Sequence, residues 1–310
     1  MWYRCFLVAL ITILANSVVC QVVVTPVHND NTELTFVSDT QAPLWIERFR
    51  IKPHNNRKAT EKIFEDILRR HPAALFMLGD VVSLGYSKRS WKKMDKYLEK
   101  FKAANIAVSA SLGNHELMGR PGKGQKRFES HFPKYVNTGY VEIVDSIAVI
   151  LLNSNFKSLA TKGDAAQAAW YRKRLAELDA DPSVLFIITG CHHSPYSNSK
   201  LAGSSTGVQK KFVPLFLKSK KSKLFLSGHS HNFEHYQREG KNFLVIGGGG
   251  GLFQPLRTGP GILEDLAPEY KPMFHYLTVN RFHKQLQVTS QKLKEDFSGF
   301  ETGRILDIGY

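Results

Sequence analysis

Residues 106–116 read Ile-Ala-Val-Ser-Ala-Ser-Leu-Gly-Asn-His-Glu. A short apolar run ends in glycine, and a carboxamide, an imidazole and a carboxylate follow at once. The run has the length and composition of a buried strand, and the glycine marks where it stops. The same event recurs along the chain. Residues 33–38 run into Asp39, and 73–78 into Gly79-Asp80. Residues 184–189 lead to Gly190-Cys191-His192-His193, and 223–226 to Ser227-Gly228-His229-Ser230-His231. Five times an apolar strand ends and an Asp, Asn or His stands within the next few residues.

Helical spacing fills the intervals. Ile63, Ile67 and Leu68 share one side of 59–70, and 91–103 and 164–179 follow the same period, with Asp164 expected to cap the last of these. Residues 208–217 are expected to be helical as well. Residues 140–144 and 148–153 read as two strands joined by a tight turn at Asp145-Ser146, and 274–292 supply one or two final strands. This alternation predicts an α/β (α+β) chain, with one domain over residues 21–310. In such sheets ligands gather beyond the carboxyl ends of strands, so separate strands can deliver their polar ends to one point. Taken singly, each polar end is an ordinary turn or cap. His229 and His231 would face one side of a strand, but as a pair they too could be incidental.

In their order, Asp39, Gly79-Asp80, Gly113-Asn114-His115-Glu116, His193-Ser-Pro-Tyr196 and Gly228-His-Ser-His231 resemble the calcineurin-like metallophosphoesterase family, which includes the purple acid phosphatases. The blocks span residues 34–231. The resemblance implies a four-layer αββα sandwich of two mixed β-sheets flanked by helices. It also implies two divalent metal ions (Mn, Zn or Fe). Asp80 would bridge them, Asp39 and His231 would complete one site, and Asn114, His193 and His229 the other. His193 is preferred because His-X-Pro is the arrangement resembling the purple acid phosphatases, which leaves His192 as a substrate contact or a neighbour. His115 would bind no metal but would lie near the phosphate and the leaving oxygen, so His115 and Asp80 are the catalytic candidates. The implied reaction is direct attack of a metal-activated hydroxide on a phosphomonoester or phosphodiester.

Elementary chemistry is consistent with those roles. Carboxylate, imidazole and amide oxygen suit borderline divalent ions, with no thiolate preference in view. Two such ions carry four positive charges and Asp39 and Asp80 cancel two, leaving an excess that attracts phosphate. Two positions depart from the family pattern. Gln41 stands where many members have a histidine, as a possible metal or substrate contact. Ser83 stands where purple acid phosphatases carry an iron-binding tyrosine. The iron-loaded protein is therefore expected to show no tyrosinate charge-transfer band; a strong visible band abolished by replacing a tyrosine would overturn this. The glycine run 247–251 reads more readily as a loop with unusual backbone angles than as a flexible active-site wall.

Composition narrows the setting. The chain has 310 residues, 43 % apolar and 22 % charged, which excludes a disordered chain. Residues 1–20, with Arg4 before the apolar run 5–15, are expected to be a signal peptide, giving a secreted or periplasmic protein. No stable membrane span is expected after its removal. Cys191 is then the one mature cysteine, so no internal disulfide is expected. The formal charge of +15 suits anionic partners. A small phosphorylated substrate is favoured over nucleic acid, because no nucleic-acid module is recognisable. The alternatives are an exported metal-dependent nuclease and a metal-binding protein of the same fold without turnover.

Overall fold

The computed structural model describes residues 23–25, 32–49 and 51–310; the expected signal peptide lies outside the described residues. In chain order the elements are β1 (Val23–Thr25), β2 (Glu33–Val37), α1 (Asn56–Arg70), β3 (Ala74–Met77), α2 (Lys88–Ala103), β4 (Ala107–Ala110), α3 (Asn114–Leu117) and α4 (Pro121–His131). There follow β5 (Tyr140–Val144), β6 (Ile147–Leu152), α5 (Phe156–Ala180), β7 (Phe186–Cys191), α6 (Thr206–Lys211), α7 (Val213–Lys218) and β8 (Ser222–Ser227). The last strands are β9 (Phe233–Arg238), β10 (Lys241–Ile246), β11 (His275–Phe282), β12 (Gln285–Leu293) and β13 (Phe300–Gly309).

The strands form two mixed sheets flanked by helices, in the orders β1-β5-β6-β7-β8-β10-β9 and β13-β12-β11-β2-β3-β4. Neighbours β2, β3 and β4 run parallel, so Asp39, Asp80 and Asn114 leave one sheet at the same edge. Neighbours β7 and β8 are also parallel and deliver the histidines from the other sheet.

Strand alternation builds two cores. On β6, Ile147, Val149 and Leu151 face the space between the sheets together with Phe36, Phe76 and Leu226, while Ala148, Ile150 and Leu152 pack outward with Tyr171, Phe212 and Phe216. The buried stripe of α1 (Ala59, Ile63, Phe64, Ile67) and that of α2 (Trp91, Met94, Phe101) close the far face of the second sheet. His71 ends α1 in the left-handed region, its N–H bonded to the Ile67 carbonyl.

Several local expectations give way. The helix expected at 164–179 begins at Phe156, so Asp164 is not its cap but lies within it, paired with Lys211. The helix expected over 208–217 is broken after Lys211, and Pro214, which has no N–H to continue the ladder, sits in the first turn of α7. Strands β9 and β13 and helix α4 were not expected.

The glycine run serves close approach more than unusual angles: only Gly250 has a positive φ, of 155°. A Cβ at Gly248 would strike the His275 ring, and one at Gly251 would meet the His231 imidazole. The Gly249 and Gly251 N–H groups donate to the Ser38 and Asp39 carbonyls at 2.9 and 2.8 Å, so the run braces the first motif block.

Candidate metal centre

Asp39, Asp80 and His229 all hold left-handed backbone, with φ of 61°, 51° and 66°. Such angles are uncommon outside glycine and mark functional strain when they cluster. Here each turns a side chain back over the strand it has just left. The turns are tied to one another. The His229 N–H reaches Asp39 Oδ2 at 2.9 Å, the His115 N–H reaches Asp80 Oδ1 at 2.8 Å, and the Gly228 N–H donates to the His192 carbonyl at 2.9 Å.

Two overlapping donor sets result. Asp39, Asp80 and His192 present ligand atoms within 4.8 Å of one another, as do His192, His193 and His229. His192, fully buried, joins the sets: its Nε2 lies 2.9 Å from Asn114 Oδ1 and 3.3 Å from Asp80 Oδ2. Its Nδ1 donates to the Leu78 carbonyl at 3.0 Å, which fixes the ring with Nε2 inward. His231 is held the same way, with Nδ1 on the Leu252 carbonyl at 2.6 Å and Nε2 3.3 Å from Asp39 Oδ1. His193 stands at the outer edge of the imidazole cluster, its Nδ1 2.8 Å from the Ser154 hydroxyl.

The His-X-Pro spacing favours His193 as the ligand beside Asn114; the geometry places His192 Nε2 against the Asn114 amide oxygen and His193 in one donor set with His192 and His229. Strand β7 runs through Cys191, two residues beyond the expected end, so His192 is the first residue off the strand. The sequence contained the signal, since two adjacent imidazoles at a strand end differ in direction. It could not say where the strand stopped.

Gln41 lies inside the site. Its amide satisfies its surroundings with the nitrogen donating to the Asp39 and Asp80 carbonyls, each at 3.0 Å. The amide oxygen then lies 3.3 Å from His231 Nε2, among the ligand atoms. Ser83 does not reach in, because its hydroxyl donates to the Ala42 carbonyl at 2.5 Å. Its own carbonyl accepts from His115 Nδ1 at 2.9 Å, which leaves His115 Nε2 facing the centre, 3.9 Å from Asp80 Oδ2. Tyr196 packs on Phe243, beneath Arg238. Cys191 is a buried free thiol that burial pushes well above its usual range.

The electrostatics favour positive charge at the centre. Burial opposes ionisation of Asp80, yet His192 and His115 hold its carboxyl well below the usual range. Burial likewise opposes charge on His192, and Asp80 overcomes it, raising the imidazole to about 9. Burial and then the neighbouring His192 push His193 down to about 3, and the same causes lower His229 far below its usual value. His193 and His229 are thus held neutral, the state a metal-ligating imidazole requires, while Asp39 raises His231 against burial as Asp80 raises His192.

Glu116 is the functional residue whose role the sequence did not disclose. Its Oε2 accepts the Asp80 and Gly113 N–H groups, both at 2.9 Å, and its Oε1 accepts the Val82 N–H at 3.1 Å. It thereby fastens the Gly-Asp block to the Gly-Asn-His block.

The sequence model of the calcineurin-like phosphoesterase family matches residues 33–233. None of the curated proteins compared matches the chain. Among solved structures, the purple acid phosphatase PPD1 from yellow lupin (Lupinus luteus) seeds has a TM-score of 0.70 at 17 % identity, over 90 % of this chain and 54 % of the lupin chain. The chain thus spans about half the length of that enzyme. GAP50, the anchor in the inner membrane complex of Plasmodium, follows with a TM-score of 0.65 at 15 % identity, over 90 % of this chain and 89 % of its own. A dimetal phosphatase from Danio rerio has a TM-score of 0.56 at 12 % identity, over 90 % and 99 %. These likenesses concern the fold, while the family match spans every motif block gathered at the facing strand ends: the chain belongs to the calcineurin-like phosphoesterase family.

Proposed function

We propose that the chain hydrolyses small phosphate mono- or diesters at a centre of two divalent cations. The observation that carries this reading is the pair of overlapping donor sets sharing His192 beside Asp80. On this reading Asp39, Gln41 Oε1, His231 and Asp80 would hold one cation, and Asn114, His192, His229 and Asp80 would hold the other, with His193 beside them. Bound there, the cations supply the positive charge that draws in a phosphate, and they make water nucleophilic near neutral pH.

The remaining work falls to the chain's own groups. The three strained turns and their cross-links fix the donor atoms before substrate arrives, so little reorganisation accompanies binding. His115, locked through Nδ1 with Nε2 inward, donates a proton to the departing oxygen or a hydrogen bond to the phosphoryl oxygens. Retention of Asn114 and His115 favours turnover; Gln41 in place of histidine is the feature that favours a binding role without it. We also propose that the protein is exported, on the strength of the apolar run 5–15; sequencing the N-terminus of the protein recovered from cells tests this.

The deciding experiment assays metal-loaded protein on monoesters, diesters and DNA. Turnover of the small esters is expected, and no metal-dependent hydrolysis of any of them would sink the reading. His115→Ala is expected to lower kcat by about 10²- to 10⁴-fold with metal content unchanged, the usual contribution of a positioned acid. Loss of metal in step with activity would instead make His115 a structural residue. His192→Ala and His193→Ala separate the two imidazoles. The first is expected to weaken metal binding by well over about 100-fold and the second by about 10- to 100-fold, the range for an outer partner. The reverse order, read by metal analysis after dialysis, would return the ligand role to His193.

A further inference from the structure

Beside the metal centre, residues 42–45 roof a cleft of about 510 Å³ that Thr40, Val81 and Ser83 also line. Its floor is apolar, with Phe64, Met94 and Tyr97 buried beneath Val82 and Leu84. The roof is also apolar and largely uncovered. Trp45 is 72 % and Phe49 79 % exposed, and the two rings meet edge to face at 5.8 Å. Single exposed apolar side chains are ordinary, but Trp45 lines a cleft with buried apolar residues and packs against a second exposed aromatic, Phe49, the kind of grouping found at binding surfaces.

The rim supplies charge. Arg57 and Arg89 border the cleft, and neither has an ion-pair partner among the described residues; Lys93 is paired with Glu61. Arg57 and Pro43 also border an adjoining depression that carries Lys52 and Lys58. An apolar slot thus opens onto a cationic shelf, with Arg57 at the junction.

We propose that this cleft holds the acyl chain of an anionic amphiphile, with the anionic head on Arg57. The volume lies within the range of small-ligand sites, and the slot and shelf match the two ends of such a molecule. Thr40, Val81 and Ser83 line the cleft next to Asp39, Asp80 and the carbonyl that orients His115, but none of the proposed metal ligands lines it.

Fatty carboxylates are suitable probes because they are not phosphoric esters. The purified protein would be titrated with octanoate, decanoate and dodecanoate below their micelle concentrations, following tryptophan emission, with Trp45→Phe identifying the emitter. The dissociation constant is expected to fall roughly tenfold for every two methylenes added, the signature of apolar burial. The Trp45 emission should shift to the blue. Arg57→Glu is expected to weaken the carboxylates about tenfold or more, while decanol, the uncharged analogue, binds as before. Chain-length-independent affinity, or no effect of Arg57→Glu, overturns the proposal. Binding only to anionic vesicles, with none to monomeric amphiphile, also overturns it, in favour of a membrane-facing patch. Turnover of a small phosphate ester by the same variants reports on the hydrolase reading separately.

Discussion

Asp80→Ala is expected to strip both cations and to lower kcat/KM by on the order of 10³-fold or more, the several kcal/mol of charge stabilisation a Lewis acid supplies. The Asp80 carboxylate touches both halves of the site. It lies within 4.8 Å of the Asp39 and His192 ligand atoms, and it accepts the His115 N–H at 2.8 Å. It is also the chief counterweight to burial at His192. With both proteins metal-free, His192 should titrate lower in Asp80→Ala than in the parent, where Asp80 is the largest influence opposing burial, and NMR of the ring protons would register the difference. Asp80→Asn separates shape from charge: the amide oxygen can still accept the His115 N–H, so the fold should hold while metal content falls. Two ions retained at full occupancy in Asp80→Ala would refute the bridging role.

The parts of the fold that could be read in advance are those where one local signal suffices. Strands β2, β3, β4, β7 and β8 are short apolar runs that stop at a glycine or a polar residue, and that alone placed five polar ends on one side of two sheets. Strand β13 gave no such signal. It is an edge strand exposed along most of its length, so no burial imposes a period of two on Phe300–Gly309. Strand β9 failed for the opposite reason. Glu234 and His235 are buried on it but hydrogen-bonded, Glu234 to Ser197 and Tyr236, His235 to Asn242. Their polarity hides the burial.

At the site, residue types and order were legible, while directions were not. The left-handed turns at Asp39, Asp80 and His229 leave no mark in composition, because none of the three is glycine. The geometry brings His192 rather than His193 beside Asn114 through a two-residue extension of β7, a difference that only the pairing of that strand with β6 and β8 determines. The glycine run shows the same limit. Its density was obvious, but its reason lies in side chains from distant segments, His231 and His275, that leave no room for a Cβ.

Glu116→Ala is expected to lower stability by about 3–5 kcal/mol, since three buried N–H groups lose their acceptor and each costs roughly 1–3 kcal/mol unless relaxation or water meets it. At about 2–4 °C per kcal/mol, the melting temperature should fall by roughly 6–20 °C. Glu116→Gln should cost less. Its oxygen can still accept the Asp80 and Gly113 N–H groups, while its NH₂ faces the Val82 N–H, donor against donor. A second consequence separates this role from ordinary packing. Glu116 sets the backbone of Asp80 against that of Gly113, one residue from Asn114, so it positions two ligands without touching a cation. Metal affinity should therefore fall in both variants even at temperatures where each is fully folded, and more in the alanine variant. A folded Glu116→Ala protein that takes up metal as the parent does would reduce the residue to a structural acceptor and detach it from the centre.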